Sequence, residues 1–310
     1  MKKIYVHIGM EKTATTTIQG YCSSNRELLS LRDLTYPNLK DDWIAHSCIP
    51  ATIMKNSSGK VVDFYNKPIK DLKSIMMDIK DQSNGDIFIS SEHFSSRLNV
   101  QNIKEFKVEL DNTFPNHEVF IISVVRESLA FFYSSYSTYI KSGGNLSIKE
   151  YSDLALRNGK YFNQLEILRD WSRIFGKEKM IIKDYDTAEY KADPVSAVLP
   201  FNLLLENKTN NNSLKSMTIK LGGIINSSSE ITINDFDKMM PETKYKLLTE
   251  IEEAELRRCM PTKSKIYDEF NMDFDGMETF EIDTGIQYLS DRVAFENLIS
   301  ILVKSCFDNK

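Results

Sequence analysis

Lys3–Gly9 reads Lys-Ile-Tyr-Val-His-Ile-Gly, and Met10–Thr17 continues it as Met-Glu-Lys-Thr-Ala-Thr-Thr-Thr. The first stretch is short and rich in β-branched and aromatic residues, the composition of a strand. After the second, Ile18, Tyr21, Cys22, Leu28 and Leu29 recur at three- and four-residue spacing, which predicts one face of a helix over about Thr15–Leu31. A strand that runs through a short loop into a helix aims unpaired backbone N–H groups and the positive helix end at one point. Lys12 adds a full charge there, and the combination suits a phosphate. The loop departs from the G-x-x-x-x-G-K-[ST] pattern: Lys12 lies three residues after Gly9, and Ala14 stands where a second glycine is expected. The plainer alternative is a threonine-capped helix beside a solvated lysine.

Downstream the same alternation repeats. Trp43–Pro68 reads as irregular, with Pro50, Pro68 and a turn at Asn56–Lys60. Ile69, Leu72, Ile75, Met76 and Ile79 then mark an amphipathic helix ended by Asn84–Gly85, and Asp86–Ser90 (DIFIS) is a buried strand. A helix near Val100–Leu110 leads to Glu118–Val125 (EVFIISVV), whose unbroken apolar run suits a parallel sheet covered on both faces. Ser128–Lys141 is an aromatic helix closed by Gly143–Gly144; helices follow near Ile148–Leu156 and Tyr161–Phe175, the latter stopped by Gly176, and then a strand, Lys179–Asp184. This order predicts an α/β fold, a central parallel sheet flanked by helices with right-handed crossovers. Beyond Pro200 strand signals fade: Asn207–Ser213 reads as a loop, and Lys244–Arg258, Lys263–Phe270 and Asp291–Phe307 as helices. The expectation is a single domain, with an α/β nucleotide-binding core over residues 1–216 and a helical C-terminal part over 217–310.

The 310 residues are 41% hydrophobic and 27% charged, ordinary for a globular chain and far from disordered or disulfide-scaffold compositions. Forty-four acids against thirty-nine bases leave a net charge of −5, so there is no footprint for general nucleic-acid binding, and any anion site is local. The N-terminal apolar run is broken by His7, Gly9 and Glu11, unlike a signal peptide, and no segment approaches the roughly 18 apolar residues of a spanning helix. A cytoplasmic protein is expected. Cys22, Cys48, Cys259 and Cys306 are scattered, without metal-ligand spacing, which predicts buried free thiols and no metal site.

Arg126 follows the strongest strand directly and so stands at the sheet's carboxyl edge, where open α/β folds bind ligands. Ser134, eight residues on, falls about two helical turns later and about 80° around, so both can face one anion. Ser90-Ser91-Glu92-His93 follows another strand to the same edge, and there Glu92 or His93 is a candidate to take a proton from an attacking hydroxyl. Like charge from bound phosphates favours Glu92, because His93 beside the same anions would be protonated. The aromatic face of Phe131, Phe132, Tyr133, Tyr136 and Tyr139 reads first as core and second as the wall of a sugar site.

Together these motifs resemble the sulfotransferases that use 3′-phosphoadenosine 5′-phosphosulfate (PAPS). Lys12-Thr13-Ala14-Thr15-Thr16-Thr17 after Tyr5–Gly9 is similar to their phosphosulfate loop, with Ala14 where that loop carries glycine. Arg126 and Ser134 match the Arg and Ser that grip the 3′-phosphate. Trp171, the Phe175–Gly176 helix end, Lys183-Asp184-Tyr185 and the Asn211-Asn212-Ser213-Leu214 segment extend the similarity over about residues 1–216. Asn211 and Ser213 thereby join the expected nucleotide-binding residues.

The resemblance implies a P-loop-like fold and transfer of a sulfuryl group from PAPS, the donor co-substrate, to an acceptor hydroxyl. In bacterial members of this kind the acceptor is commonly a carbohydrate, here a glycan or lipid-linked sugar. Lys12 and the Thr13–Thr17 amides would stabilise charge growing on the bridging oxygen, and Glu92 or His93 would deprotonate the acceptor. Cytosolic relatives use a histidine as base after the comparable strand. No metal is implied, and no Asp stands out at a strand end in the Walker-B manner. Two other readings stay open: a magnesium-dependent P-loop kinase, and a non-catalytic relative that binds the nucleotide without turnover.

Overall fold

In a computed structural model the described residues are 1–39, 44–58, 65, 67–157, 160–201, 214–226, 232–240, 246–272, 289–290 and 293–294. The elements begin β1 (Lys2–His7), α1 (Thr15–Ser24), α2 (Arg26–Ser30), β2 (Leu34–Thr35), α3 (Cys48–Ser58), α4 (Leu72–Gln82), β3 (Asp86–Ser90), α5 (His93–Arg97), α6 (Val100–Thr113) and β4 (His117–Val125). They continue with α7 (Ser128–Lys141), α8 (Ile148–Arg157), α9 (Gln164–Phe175), β5 (Met180–Asp184), α10 (Ala188–Ala192) and α11 (Pro194–Val198). Four more helices follow: α12 (Ser216–Asn226), α13 (Ile233–Met239), α14 (Glu250–Cys259) and α15 (Lys263–Phe270).

The five strands form one parallel sheet in the order β2-β3-β1-β4-β5. Val6 on β1 pairs with Ile89 on one side and Ile121 on the other. Ile4, Val6, Ile87, Phe88, Ile89, Ile121, Val124 and Val125 have no exposed surface, the two-sided burial that helices on both faces impose on a parallel sheet. Each such side chain contributes about 1.5–3 kcal/mol of burial. The fold is therefore α/β, a parallel central sheet flanked by helices.

The chain packs as two compact units, residues 1–126 with 164–209, and residues 127–163 with 210–310. The first holds the sheet, α1–α6 and α9–α11. The second is helical among its described residues and is organised around α7. Phe131, Phe132, Tyr136 and Ile140 of α7 are buried with Leu221, Phe236 and Leu256 from α12, α13 and α14. The aromatic face is thus core. Tyr133 closes it by donating its hydroxyl to Glu253 Oε1 at 2.6 Å, and burial together with that carboxylate raises its pKa.

Several boundaries differ from expectation for local reasons. The helix read over Thr15–Leu31 breaks at Asn25, whose backbone N–H and side-chain amide both donate to the Tyr21 carbonyl and so end α1. Helix α3 occupies part of the stretch read as irregular; Pro50 sits in its first turn, where a missing N–H is tolerated. Helices α12 and α13 were not anticipated. Asn207–Ser213, and the helix expected over Asp291–Phe307 apart from residues 293–294, lie outside the described residues. Cys22 and Cys48 are buried, but Cys259 is exposed, against the expectation of buried thiols, because α14 buries only Leu256. Burial raises the Cys22 thiol pKa, and Cys306 lies outside the described residues. Among the described residues no helix is long and apolar enough to cross a membrane.

Candidate functional site

Adjacent strands β1 and β4 send their connections in opposite directions, β1 toward β2 and β4 toward β5. Such a divergence opens a crevice at the carboxyl edge of an α/β sheet. The loop Gly9–Ala14 leaves β1 there. Gly9, Lys12 and Ala14 have φ of 51°, 67° and 62°, and left-handed residues alternating with ordinary ones fold successive amides into an anion-binding concavity. The loop's carbonyls are held by the protein itself. Thr13 Oγ1 donates to the Met10 carbonyl at 2.6 Å, Arg126 donates to that of Lys12 at 2.8 Å, and the Tyr190 hydroxyl donates to that of Thr13 at 2.9 Å. No side chain caps α1 at Ala14; within the first turn the Thr17 N–H donates to the Ala14 carbonyl at 3.1 Å, and a helix N-terminus without a side-chain cap suits an anion. Thr13 and Thr15 are buried and serve the loop's shape, while Thr16 is exposed and Thr17 half-buried.

Two loop positions carry the geometry. A Cβ on Gly9 would come within 2.6 Å of Thr15 Cγ2 and 3.5 Å of Glu92 Cα, so the glycine lets three segments converge. Ala14 adopts the left-handed conformation that its side chain disfavours by about 1–2 kcal/mol. Ala14→Gly is expected to raise stability by up to about 1 kcal/mol, the relief exceeding the added unfolded-state entropy. Ala14→Val should lower it by at least as much. Urea midpoints of the two variants check both signs.

Arg126 ends the first segment of the first unit, just past β4. Its backbone N–H donates to Gln164 Oε1 at 2.9 Å, and Gln164 Nε2 donates to its carbonyl at 2.8 Å. Its guanidinium lies 4.5 Å from the Tyr185 ring centroid, a cation–π contact. With one nitrogen on the Lys12 carbonyl, Arg126 ties the loop to the β4 edge. Its Nε is buried and has no hydrogen-bond partner.

At the end of β3, Ser90 and Ser91 are buried and Glu92 and His93 half-buried. Ser90 Oγ lies 2.8 Å from His7 Nδ1, and the Ser90 N–H donates to His46 Nδ1 at 3.0 Å. His46 Nε2 donates to the Pro37 carbonyl at 2.9 Å. Burial lowers the pKa of His7 to about 3 and of His46 to about 4, so both rings are neutral in the folded chain. In the unfolded chain they titrate near 6.5. Below that pH the unfolded state binds protons that the folded state refuses, so stability is full above pH 6.5 and falls as the pH drops toward 4. Each histidine adds about 1.4 kcal/mol per pH unit to that slope. Urea unfolding of wild type and His46→Gln between pH 7 and 5 tests this: the variant's slope should be shallower by about one proton.

The structure brings Lys12, Thr13–Thr17, Arg126 and Glu92 to one sheet edge, with His93 opening α5 beside them. Ser134 is half-buried within α7, in the second unit. Asn211 and Ser213 lie outside the described residues. Sequence reading passed over Gln19, His46, Gln164 and Tyr190, which hold the loop and its neighbours. A signal existed for one of them: Gln19 lies between Ile18 and Cys22 on the buried face of an amphipathic helix, where an amide needs a reason.

No protein-family profile matches the chain, and no curated protein does. Among solved structures, a sulfotransferase from Alicyclobacillus acidocaldarius is similar at 14% identity over 64% of this chain and 78% of that one, with a TM-score of 0.39. The α/β assignment rests on strand order and register, and the functional reading rests on the chemistry of the loop and its neighbours.

Proposed function

We propose that this protein transfers a sulfuryl group from PAPS to an acceptor hydroxyl, the acceptor being a glycan or lipid-linked sugar. The observation that carries the reading is the loop itself: a strand-to-helix turn whose carbonyls are occupied by Thr13, Arg126 and Tyr190, with Lys12 on it and Glu92 against Gly9. Such a loop suits the tetrahedral anion of a phosphosulfate. The acceptor oxygen bonds to sulfur and the bond from sulfur to the bridging oxygen breaks, its electron pair leaving with adenosine 3′,5′-bisphosphate. Lys12 and the α1 amides stabilise the charge that grows on that oxygen. Glu92 takes the acceptor's proton; its backbone, nearest the loop at Gly9, supports it over His93.

Calorimetric titration with adenosine 3′,5′-bisphosphate and with ATP plus magnesium tests the donor assignment. Binding of the first, followed by sulfate transfer detected by mass spectrometry of glycans, supports the reading. Magnesium-dependent phosphoryl transfer from ATP replaces it with a kinase.

Arg126 has two tasks in this reading, bracing the Lys12 carbonyl and taking the 3′-phosphate. Arg126→Ala is then expected to weaken adenosine 3′,5′-bisphosphate about 10–100-fold, the worth of a charge-assisted hydrogen bond or two. Adenosine 5′-phosphate, which feels only the loop, should lose less. Equal losses in parallel titrations would confine Arg126 to the loop.

A further inference from the structure

Gln19 lies in the second turn of α1, four residues after Thr15, and is 2% exposed. A primary amide buried this deeply has given up its water partners and needs hydrogen bonds in return. Its Nε2 lies 2.9 Å from Glu92 Oε2 and 3.3 Å from Ser90 Oγ. A carboxylate only accepts, so the nitrogen, not the oxygen, faces Glu92, and the two amide hydrogens are divided between Glu92 and Ser90. Ser90 Oγ, accepting from Gln19, also lies 2.8 Å from His7 Nδ1.

We propose that Gln19 is a positioning residue that holds the Glu92 carboxylate at the phosphate loop, with Ser90 as the second partner of its amide; the inference rests on the reading of Glu92 as the base. Glu92 is half-buried ahead of a five-residue helix and has three side-chain torsions to order. Gln19 ties one carboxylate oxygen and leaves Oε1 to receive a proton. The same helix carries the loop's amides at its N-terminus and Gln19 one turn later, so a single rigid element sets the distance between donor site and base. Misplacing a reacting group by about 1 Å costs about a hundredfold in rate.

Water serves as the acceptor in the test, because its reaction requires no knowledge of the natural one. Water's oxygen bonds to sulfur, its proton goes to Glu92, and the broken bond releases sulfate and adenosine 3′,5′-bisphosphate. Single-turnover release of that nucleotide from PAPS is measured for wild type, Gln19→Leu, Glu92→Gln and the double variant. Gln19→Met, unbranched and as long as glutamine, replaces the Leu variant if the latter does not fold. The expected result is a 10–100-fold lower rate for the Gln19 variant, with the dissociation constant of adenosine 3′,5′-bisphosphate within about twofold of wild type. In the Glu92→Gln background the same substitution should cost less than twofold, since its effect passes through Glu92. Losses that multiply in the double variant, or a large loss of nucleotide binding, overturn the positioning role and leave the sulfuryl-transfer reading standing. A wild type that neither binds the nucleotide nor releases it from PAPS faster than buffer overturns that reading, and the role of Gln19 with it.

Discussion

Lys12→Ala is expected to lower sulfuryl transfer about 10²–10³-fold while leaving the melting temperature within a few degrees of wild type. The rate loss is that of removing one preorganised charge from the oxygen on which negative charge develops. The fold survives because the bond that ties the loop to Arg126 is made to the Lys12 carbonyl, which alanine keeps. Its left-handed φ of 67° strains any residue with a Cβ about equally, so alanine adds no strain there. A rate within a few-fold of wild type would remove the phosphosulfate assignment from this loop. Thermal melts run on the same preparations separate lost chemistry from lost folding.

Glu92→Gln should be at least as damaging, about 10²–10⁴-fold in single-turnover transfer, the usual contribution of a general base. Glutamine preserves the shape of the site, and its carbonyl oxygen accepts from Gln19 Nε2 where the carboxylate did at 2.9 Å. Only the proton-accepting capacity goes. His93→Asn is expected to cost far less, because His93 begins α5 and it is residue 92 that lies against Gly9. Should the Gln variant keep most of its rate while the Asn variant loses a hundredfold, the base is His93.

Much of the α/β layout was legible because its signals are local. Asp86–Ser90 and Ser128–Lys141 match β3 and α7 to the residue, since a continuous apolar run bounded by turns and an aromatic helix closed by glycines each carry their own boundaries. The candidate loop was legible for the same reason, as one uninterrupted stretch between a strand and a helix. Helix α3 was not, because Pro50 and the polar residues after it read as a break, and only packing on α4 and α6 makes eleven residues helical there.

What the sequence by itself determined is the order of elements and the place of the polar and charged groups along it: Lys12 after the first strand, Arg126 after the longest, Glu92 and His93 after a third. Adjacent residues and fixed periods convey these. Tertiary structure alone decided what those groups touch. Strand order put β1 between β3 and β4, and so set Gly9 beside Glu92 and the Lys12 carbonyl beside Arg126, 114 positions away in the chain. It brought the Tyr190 hydroxyl to Thr13 across 177 positions and Gln19 to Glu92 across 73. No local pattern encodes such pairs, because a hydrogen bond constrains where two groups meet in space and leaves the intervening chain free. The same logic governs Ala14. The position reads as a lost glycine, yet the pinned Lys12 and Thr13 carbonyls just before it hold Ala14 in the left-handed conformation a glycine would have taken, at a strain that the surrounding bonds offset.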